Sequence, residues 1–275
     1  MKRLLFSIFL LLISEMSIAQ VAGGAIKRPG KSHSVSKVTP KSQIKSTTNK
    51  KRPSLQHNNS KALTGYTNGH AWVDLGLPSG TLWATMNVGA SKAEEYGDYF
   101  AWGETKSKSD YSWETYKWCK GSYNNMSKYC NVNSSGTVDK KIVLDYKDDT
   151  AYINWGEDWC LPTREQFEEL FNSKYTFTNW INQNNIQGRK ITSRINGNSL
   201  FLPAGGFRYN ISKYDVNIYG CYWVRMLNSN FPHLAFYTYF DSKNIRLKEY
   251  DKRCVGQSVR PITKKNKRYS REELR

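Results

Sequence analysis

Five cysteines, at positions 119, 130, 160, 221 and 254, are the most chemically versatile side chains of this 275-residue sequence. None of them shows the C-x-x-C spacing of a zinc site. His33 and His57 fall in a stretch of Lys, Ser, Thr and Asn. His70 and His233, the only histidines of the aromatic-rich region, have no nucleophile beside them in sequence. A Ser-His-Asp relay would therefore have to assemble entirely in space. Glu104 and Asp98, both in GDYFAWGE, are a conceivable carboxylate pair for glycoside hydrolysis, although the same stretch reads more simply as a turn bounding a strand. The acids of residues 145–149 and of Asn154-Trp155-Gly156-Glu157-Asp158 lack the alternating spacing of a calcium loop and suit helix starts and solvated turns. No metal site and no cofactor are expected, and the chain is read as non-catalytic.

The remaining candidates are aromatic and guanidinium groups. The Gly- and Asn-rich stretch 204–220 and the residues after it bring Arg208, Tyr209, Tyr214, Tyr219, Tyr222, Trp223 and Arg225 close together in sequence. Aromatic faces stack on sugar rings or pack in protein interfaces, and guanidinium adds planar donors and cation-π contact. These seven form the expected ligand-binding surface, with Tyr222 and Trp223 also readable as core residues of a strand.

The elements that must hold this surface are mostly short strands. Trp72-Val73-Asp74-Leu75 and Thr81-Leu82-Trp83-Ala84 flank GLPSG and read as a ribbon. KITSRI and SLFLP flank Asn196-Gly197-Asn198, and Asn-Gly supplies the positive backbone angles of a tight hairpin. LAFYTYF and the IRLK segment after it alternate as half-buried antiparallel strands. In LPTREQFEELF, Thr163 and Gln166 make a capping box ahead of an apolar stripe of Phe167, Leu170 and Phe171. A shorter helix is expected over DDTAYINW, with Ala151, Tyr152 and Trp155 facing inward. Helices followed by a run of strands predict an α+β domain.

Composition sets the frame. With 39% hydrophobic, 14% aromatic and 23% charged residues the chain can bury a core, which excludes a wholly disordered protein. The formal net charge of +18 is concentrated at the ends: residues 21–61 carry ten Lys/Arg and no acid, and residues 264–275 carry six Lys/Arg and two Glu. Residues 62–263 are nearly balanced, at 23 basic and 20 acidic. Such tails attract anionic envelope polymers without specificity, so no specific nucleic-acid partner is expected. Lys2 and Arg3, the apolar run 4–13 and Ser17-Ile18-Ala19 read as a signal peptide over residues 1–19. No membrane span follows. Residues 20–65 read as a disordered basic linker, 66–263 as the folded domain and 264–275 as a basic tail. Export makes disulfides possible. Cys119 with Cys130 would close a short turn-rich loop, worth about 3 kcal/mol in the chain-entropy account; Cys221 with Cys254 is the second candidate pair.

Taken in order, VDLGLPSGTLWA, GDYFAWGE, KWCKGSYNNMSKYC, DDTAYINWGEDWCLPTREQFEEL, NSLFLPAGGFRYN, GCYW and GQSVRPI resemble the Fibrobacter succinogenes major paralogous domain family of secreted bacterial proteins. The likeness covers nearly all of residues 70–262. It implies a C-type lectin-like fold: antiparallel strands with two helices, the first and last strands paired, and a long irregular loop region carrying ligands. GQSVRPI would be the closing strand. The sequence departs from that pattern at Cys160, Cys221 and Cys254, where Arg, Gly or Tyr is expected, and has Trp223-Val224-Arg225-Met226 where a Trp-Ser-Ser-Ser run is expected. The Glu-Pro-Asn and Gln-Pro-Asp tripeptides of calcium-dependent sugar binding are missing. The expectation is therefore a secreted or cell-surface module that binds a glycan or a surface protein. An enzyme related to sulfatase-modifying proteins, a glycan hydrolase, and a structural envelope or fimbria-associated subunit are the alternatives.

Overall fold

The computed structural model describes residues 64–264. The expected leader lies outside the described residues, as do the linker up to residue 63 and the tail from residue 265. The described part is mostly antiparallel β-structure with two helices, α1 (Thr150–Trp155) and α2 (Arg164–Leu170). No helix among these residues is long and apolar enough to cross a membrane.

The first sheet runs in the order β1 (Thr64–Thr67), β2 (His70–Asp74), β3 (Thr81–Ala84), β12 (Ile262–Lys264). Its β2 and β3 are the ribbon expected around GLPSG, where Gly80 N–H donates to Leu77 O at 2.9 Å and Gly76 and Gly80 take positive φ. Strand β1 begins two residues before order was expected. Asn68 and Gly69, at φ 50° and 79°, make the two-residue turn into β2, whose backbone twist matches that of paired strands. Asn184 and Asn185 do the same between β4 (Thr176–Gln183) and β5 (Ile186–Ser193).

The chain closes its first sheet later than GQSVRPI predicts. Only Ile262–Lys264 pairs with β3. Residues 256–260 instead thread between elements, bridging singly to Arg208, Phe100 and Tyr222, and Pro261 has no N–H to offer a ladder. Gln257, Ser258 and Arg260 are fully buried along this thread.

The second sheet is β4-β5-β6 (Ser199–Pro203), and the third is β9 (Gly220–Leu227), β10 (Leu234–Phe240), β11 (Ile245–Lys252) with β10 central; β7 (Phe207–Tyr209) and β8 (Ser212–Tyr214) form a separate ribbon. The β5–β6 connection is not the tight turn that Asn-Gly suggests, because only Gly197 has positive φ. Ser193 Oγ donates to Leu75 O and accepts from the N–H groups of Ile195 and Asn196, while Asn196 and Asn198 side chains donate to Asp74 O. Docking to β2, rather than local turn preference, shapes that loop.

The longer helix starts as expected, whereas the shorter one begins at Thr150, two residues later than DDTAYINW implies, and buries Ala151 and Trp155 but leaves Tyr152 partly exposed. Thr163 and Gln166 exchange capping-box bonds, which places Phe167 and Leu170 in the core beside Val224 and Phe240. Asp149 caps α1 by accepting from Ala151 and Tyr152 N–H. The second buried cluster gathers Trp102, Trp155, Trp159 and Trp223.

Candidate functional site

The seven residues expected to form one surface are dispersed. Tyr222 is buried, donates to Pro203 O at 2.7 Å and stacks on Phe240. Trp223 is buried and donates from Nε1 to Phe100 O at 2.7 Å. Both are core pins, because β9 is covered along most of its length. Arg208 donates to the carbonyls of Lys108, Ser109 and Ile211 and lies over the Tyr111 ring, so it holds a neighbouring loop. Tyr209 packs against two core clusters beneath Lys252. Tyr214 stacks on Phe207 across the β7–β8 ribbon. Of the seven, Tyr219 and Arg225 line grooves, and the two grooves are different.

The first groove, about 370 Å³, is walled by Trp180 of β4 and by Ile218 and Tyr219 just before β9, with Gln187 of β5, Asn217 and residues 241–243 supplying polar groups. Asn217 takes a positive φ of 64° and anchors the loop: its N–H donates to Ala204 O, and its Oδ1 accepts from Tyr96 Oη at 2.6 Å and from Gln187 N–H at 2.9 Å. The Asp241 carboxylate is committed to its own turn, accepting from Lys243 N–H, Asn244 N–H and Tyr239 Oη. Burial raises the Asp241 carboxyl, but bonds from Asn244, Lys243 and Tyr239 outweigh it and lower it to about 2. Burial and the nearby Asp215 charge push the Tyr219 phenol up. At neutral pH the groove thus offers two rings, the exposed Lys243 ammonium, the Gln187 side-chain amide, which makes no hydrogen bond among the described residues, the Asn217 amide N–H₂ and the Ser242 hydroxyl, all fit for hydroxyl-rich ligands.

The second groove, about 570 Å³, is lined by Leu144, Asp145, Tyr146, Lys147, Tyr152, Ile153 and Arg225. A 3₁₀ turn at Tyr146–Asp148 and the exposed side of α1 carry most of it. Arg225 reaches it from near the far end of β9, its guanidinium 4.3 Å above the Tyr146 ring centroid.

The other chemical candidates are held apart or occupied. Buried Glu104 is paired with Lys108 and accepts from Lys117 N–H, whereas Asp98 is exposed. His70 stacks face to face on Trp155 at 3.9 Å, and burial lowers its pKa. His233 is lowered by burial and by Arg253. All five cysteines are free thiols. Cys119 lies opposite Met126, not Cys130, and the two thiols point at the carbonyls of Trp113 and Val132. Cys221 pairs with Tyr239 on the third sheet, while Cys254 belongs to the buried cluster of Cys130 and Met126. Among the described residues no group of three or more His, Cys, Asp or Glu could hold a metal ion.

No local sequence pattern marks Trp180, Gln187, Lys147 or Tyr152 as a ligand contact. A signal existed for Tyr146: an aromatic flanked by Asp145 and Lys147 has little apolar company and is 55% exposed. Trp180 alternates with polar residues in β4, a pattern that marks a face without saying what covers it.

No protein-family model matches the chain, and neither a curated protein nor a solved structure matches it.

Proposed function

We propose that this chain is a non-catalytic binding module of an exported protein, with a C-type lectin-like frame, and that it recognises a neutral glycan in the groove between Trp180 and Tyr219. The antiparallel sheets, the two helices and the pairing of β3 with the closing β12 support that frame, as does the resemblance of seven segments to the major paralogous domain family. The observation that carries the ligand class is the polar inventory of the groove: two aromatic walls, amide, hydroxyl and Lys243 ammonium donors at its edge, and its one carboxylate already saturated. Neutral sugars present apolar ring faces and outward hydroxyls, which match such walls and donors. Sites of this kind are largely pre-formed, with a few placed polar groups fixing orientation.

The test is a neutral-glycan array followed by titration of the best ligand against Trp180→Ala, Tyr219→Ala and the unaltered chain. Each truncation is expected to weaken binding by about tenfold or more, since aromatic anchors dominate such contacts. Absence of any bound neutral glycan, or affinity indifferent to both truncations with unchanged melting, would refute the assignment.

A further inference from the structure

The Tyr146–Arg225 groove pairs a guanidinium with an ammonium where the first groove has a single lysine, and from this charge and its ring walls we infer that it is a second binding site, specific for a carboxylate-bearing sugar such as a uronic acid residue of an acidic polysaccharide. Its cationic groups have capacity left. Arg225 donates from Nη2 to Leu144 O at 3.2 Å and turns its buried Nε toward Asp149, while its Nη1 makes no hydrogen bond among the described residues. Lys147 is exposed and has no ion pair among the described residues.

The anionic groups, by contrast, are occupied. Asp145 accepts from both Lys128 and Lys141, and these bonds lower its carboxyl to about 2. Asp148 is buried and ion-paired with Lys128 and Lys117. Asp149 is buried and faces Arg225 from behind, its Oδ2 3.6 Å from Arg225 Nε. An incoming carboxylate therefore meets a guanidinium and an ammonium without a free carboxylate to repel it. Planar guanidinium is suited to bidentate carboxylate recognition.

The ring walls explain why a sugar acid, rather than a small inorganic anion, fits. Tyr146 and Tyr152 lie 5.1 Å apart with their rings tilted by 35°, and Ile153, 49% exposed, continues the apolar side. Neither phenol hydroxyl is engaged in a hydrogen bond among the described residues. A pyranose ring would contact these faces while its carboxylate reached Arg225 and Lys147. Tyr219 and Arg225 are six positions apart along a strand that bulges between Trp223 and Leu227, which separates the two grooves by at most about 20 Å. One polymer with neutral and acidic units could engage both, and linked sites gain avidity without new contacts.

The experiment measures binding of the full-length protein to polygalacturonate and to its fully methyl-esterified form, each with the unaltered chain, Tyr146→Ala, Lys147→Gln and Arg225→Lys. The basic terminal segments also attract polyanions, so the comparison is between variants that share those segments. Tyr146→Ala and Lys147→Gln change exposed side chains and keep the test valid even if Arg225→Lys perturbs folding. The expected result is preference for the acid form and about tenfold weaker binding in Tyr146→Ala and Arg225→Lys, with a smaller, salt-sensitive loss in Lys147→Gln. Trp180→Ala should leave this binding unchanged, which separates failure here from failure of the neutral-glycan site. Equal affinity for the ester, no binding at low salt, or affinity unaffected by Tyr146→Ala and Lys147→Gln overturns the inference.

Discussion

Arg225 Nε stands 3.6 Å from Oδ2 of Asp149, a carboxyl with no solvent exposure that also caps α1 and accepts from Leu161 N–H at 3.0 Å. Burial is the largest influence on this group and raises it to about 6, even though bonds from Leu161, Tyr152 and Ala151 and the Arg225 charge pull the other way. One side chain therefore links the helix start, the core and the second groove.

That raised value has a definite sign in stability. In the folded protein Asp149 holds its proton to about pH 6, while in the unfolded chain it releases it near 3.8. The folded state binds more protons in between, so this group's contribution is fully present below about pH 4 and declines as pH rises through about 6. Urea titrations of the unaltered protein and Asp149→Asn, from pH 4 to pH 7, should show the stability difference between them moving against the unaltered chain as pH rises. A pH-independent difference would mean that the carboxyl is ionised throughout.

Arg260 should be among the least replaceable residues. Fully buried, it donates to Asn87 Oδ1 at 2.8 Å, Ala84 O at 3.0 Å and Phe201 O at 3.1 Å. It thus ties the opening sheet, the second sheet and the closing thread. Arg260→Met keeps much of the volume but leaves three buried acceptors short of a donor, at about 3 kcal/mol or more in total. Arg246→Met, at a half-exposed surface position, should stay within about 0.5 kcal/mol. Denaturant midpoints of the two variants check the contrast, and near-equal values would contradict the pinning role.

Arg260 also shows where the sequence could be read and where it could not. Short-range patterns are legible: the Thr163–Gln166 box, the GLPSG ribbon and the alternation of β11 all form as their local chemistry dictates, whereas the alternation expected of LAFYTYF is broken by the register shift between Tyr237 and Tyr239. Asn68-Gly69 carries the same kind of local turn signal, at the edge of a polar, basic segment. Burial of a charged residue depends on partners far off in sequence, here as many as 176 positions away, and no local pattern reveals it. The same holds for the grooves. Tyr219 and Arg225 are neighbours in sequence, yet their partners Trp180 and Tyr146 come from other elements, so the residues of one expected surface line two separate grooves.

Thiol chemistry discriminates between the sequence expectation of two bridges and the free thiols of the structure. Ellman titration in denaturant should find five reactive thiols. In the native protein Cys119, partly exposed, should react ahead of Cys221 and Cys254, whose thiols burial holds well above the usual range. A count of one in denaturant would establish two disulfides and require the segments around Cys221 and Cys254 to rearrange.

Gly220 connects the core to the Trp180–Tyr219 groove through the space it leaves empty. A Cβ at this position would land on the ring of Phe240, which is fully buried, stacks on Tyr222 and meets Trp180 edge-on at 6.4 Å. The backbone of Gly220 is not in the left-handed region, so Gly220→Ala acts through crowding alone. Displacing a buried ring typically costs about 1–3 kcal/mol. Because the displaced ring borders Trp180, and Tyr219 is the adjacent residue, the same substitution should weaken neutral-glycan binding while leaving polygalacturonate binding at the far end of β9 intact. Calorimetric titration of both ligands against Gly220→Ala tests this, and equal losses at the two sites would show that the grooves are not independent.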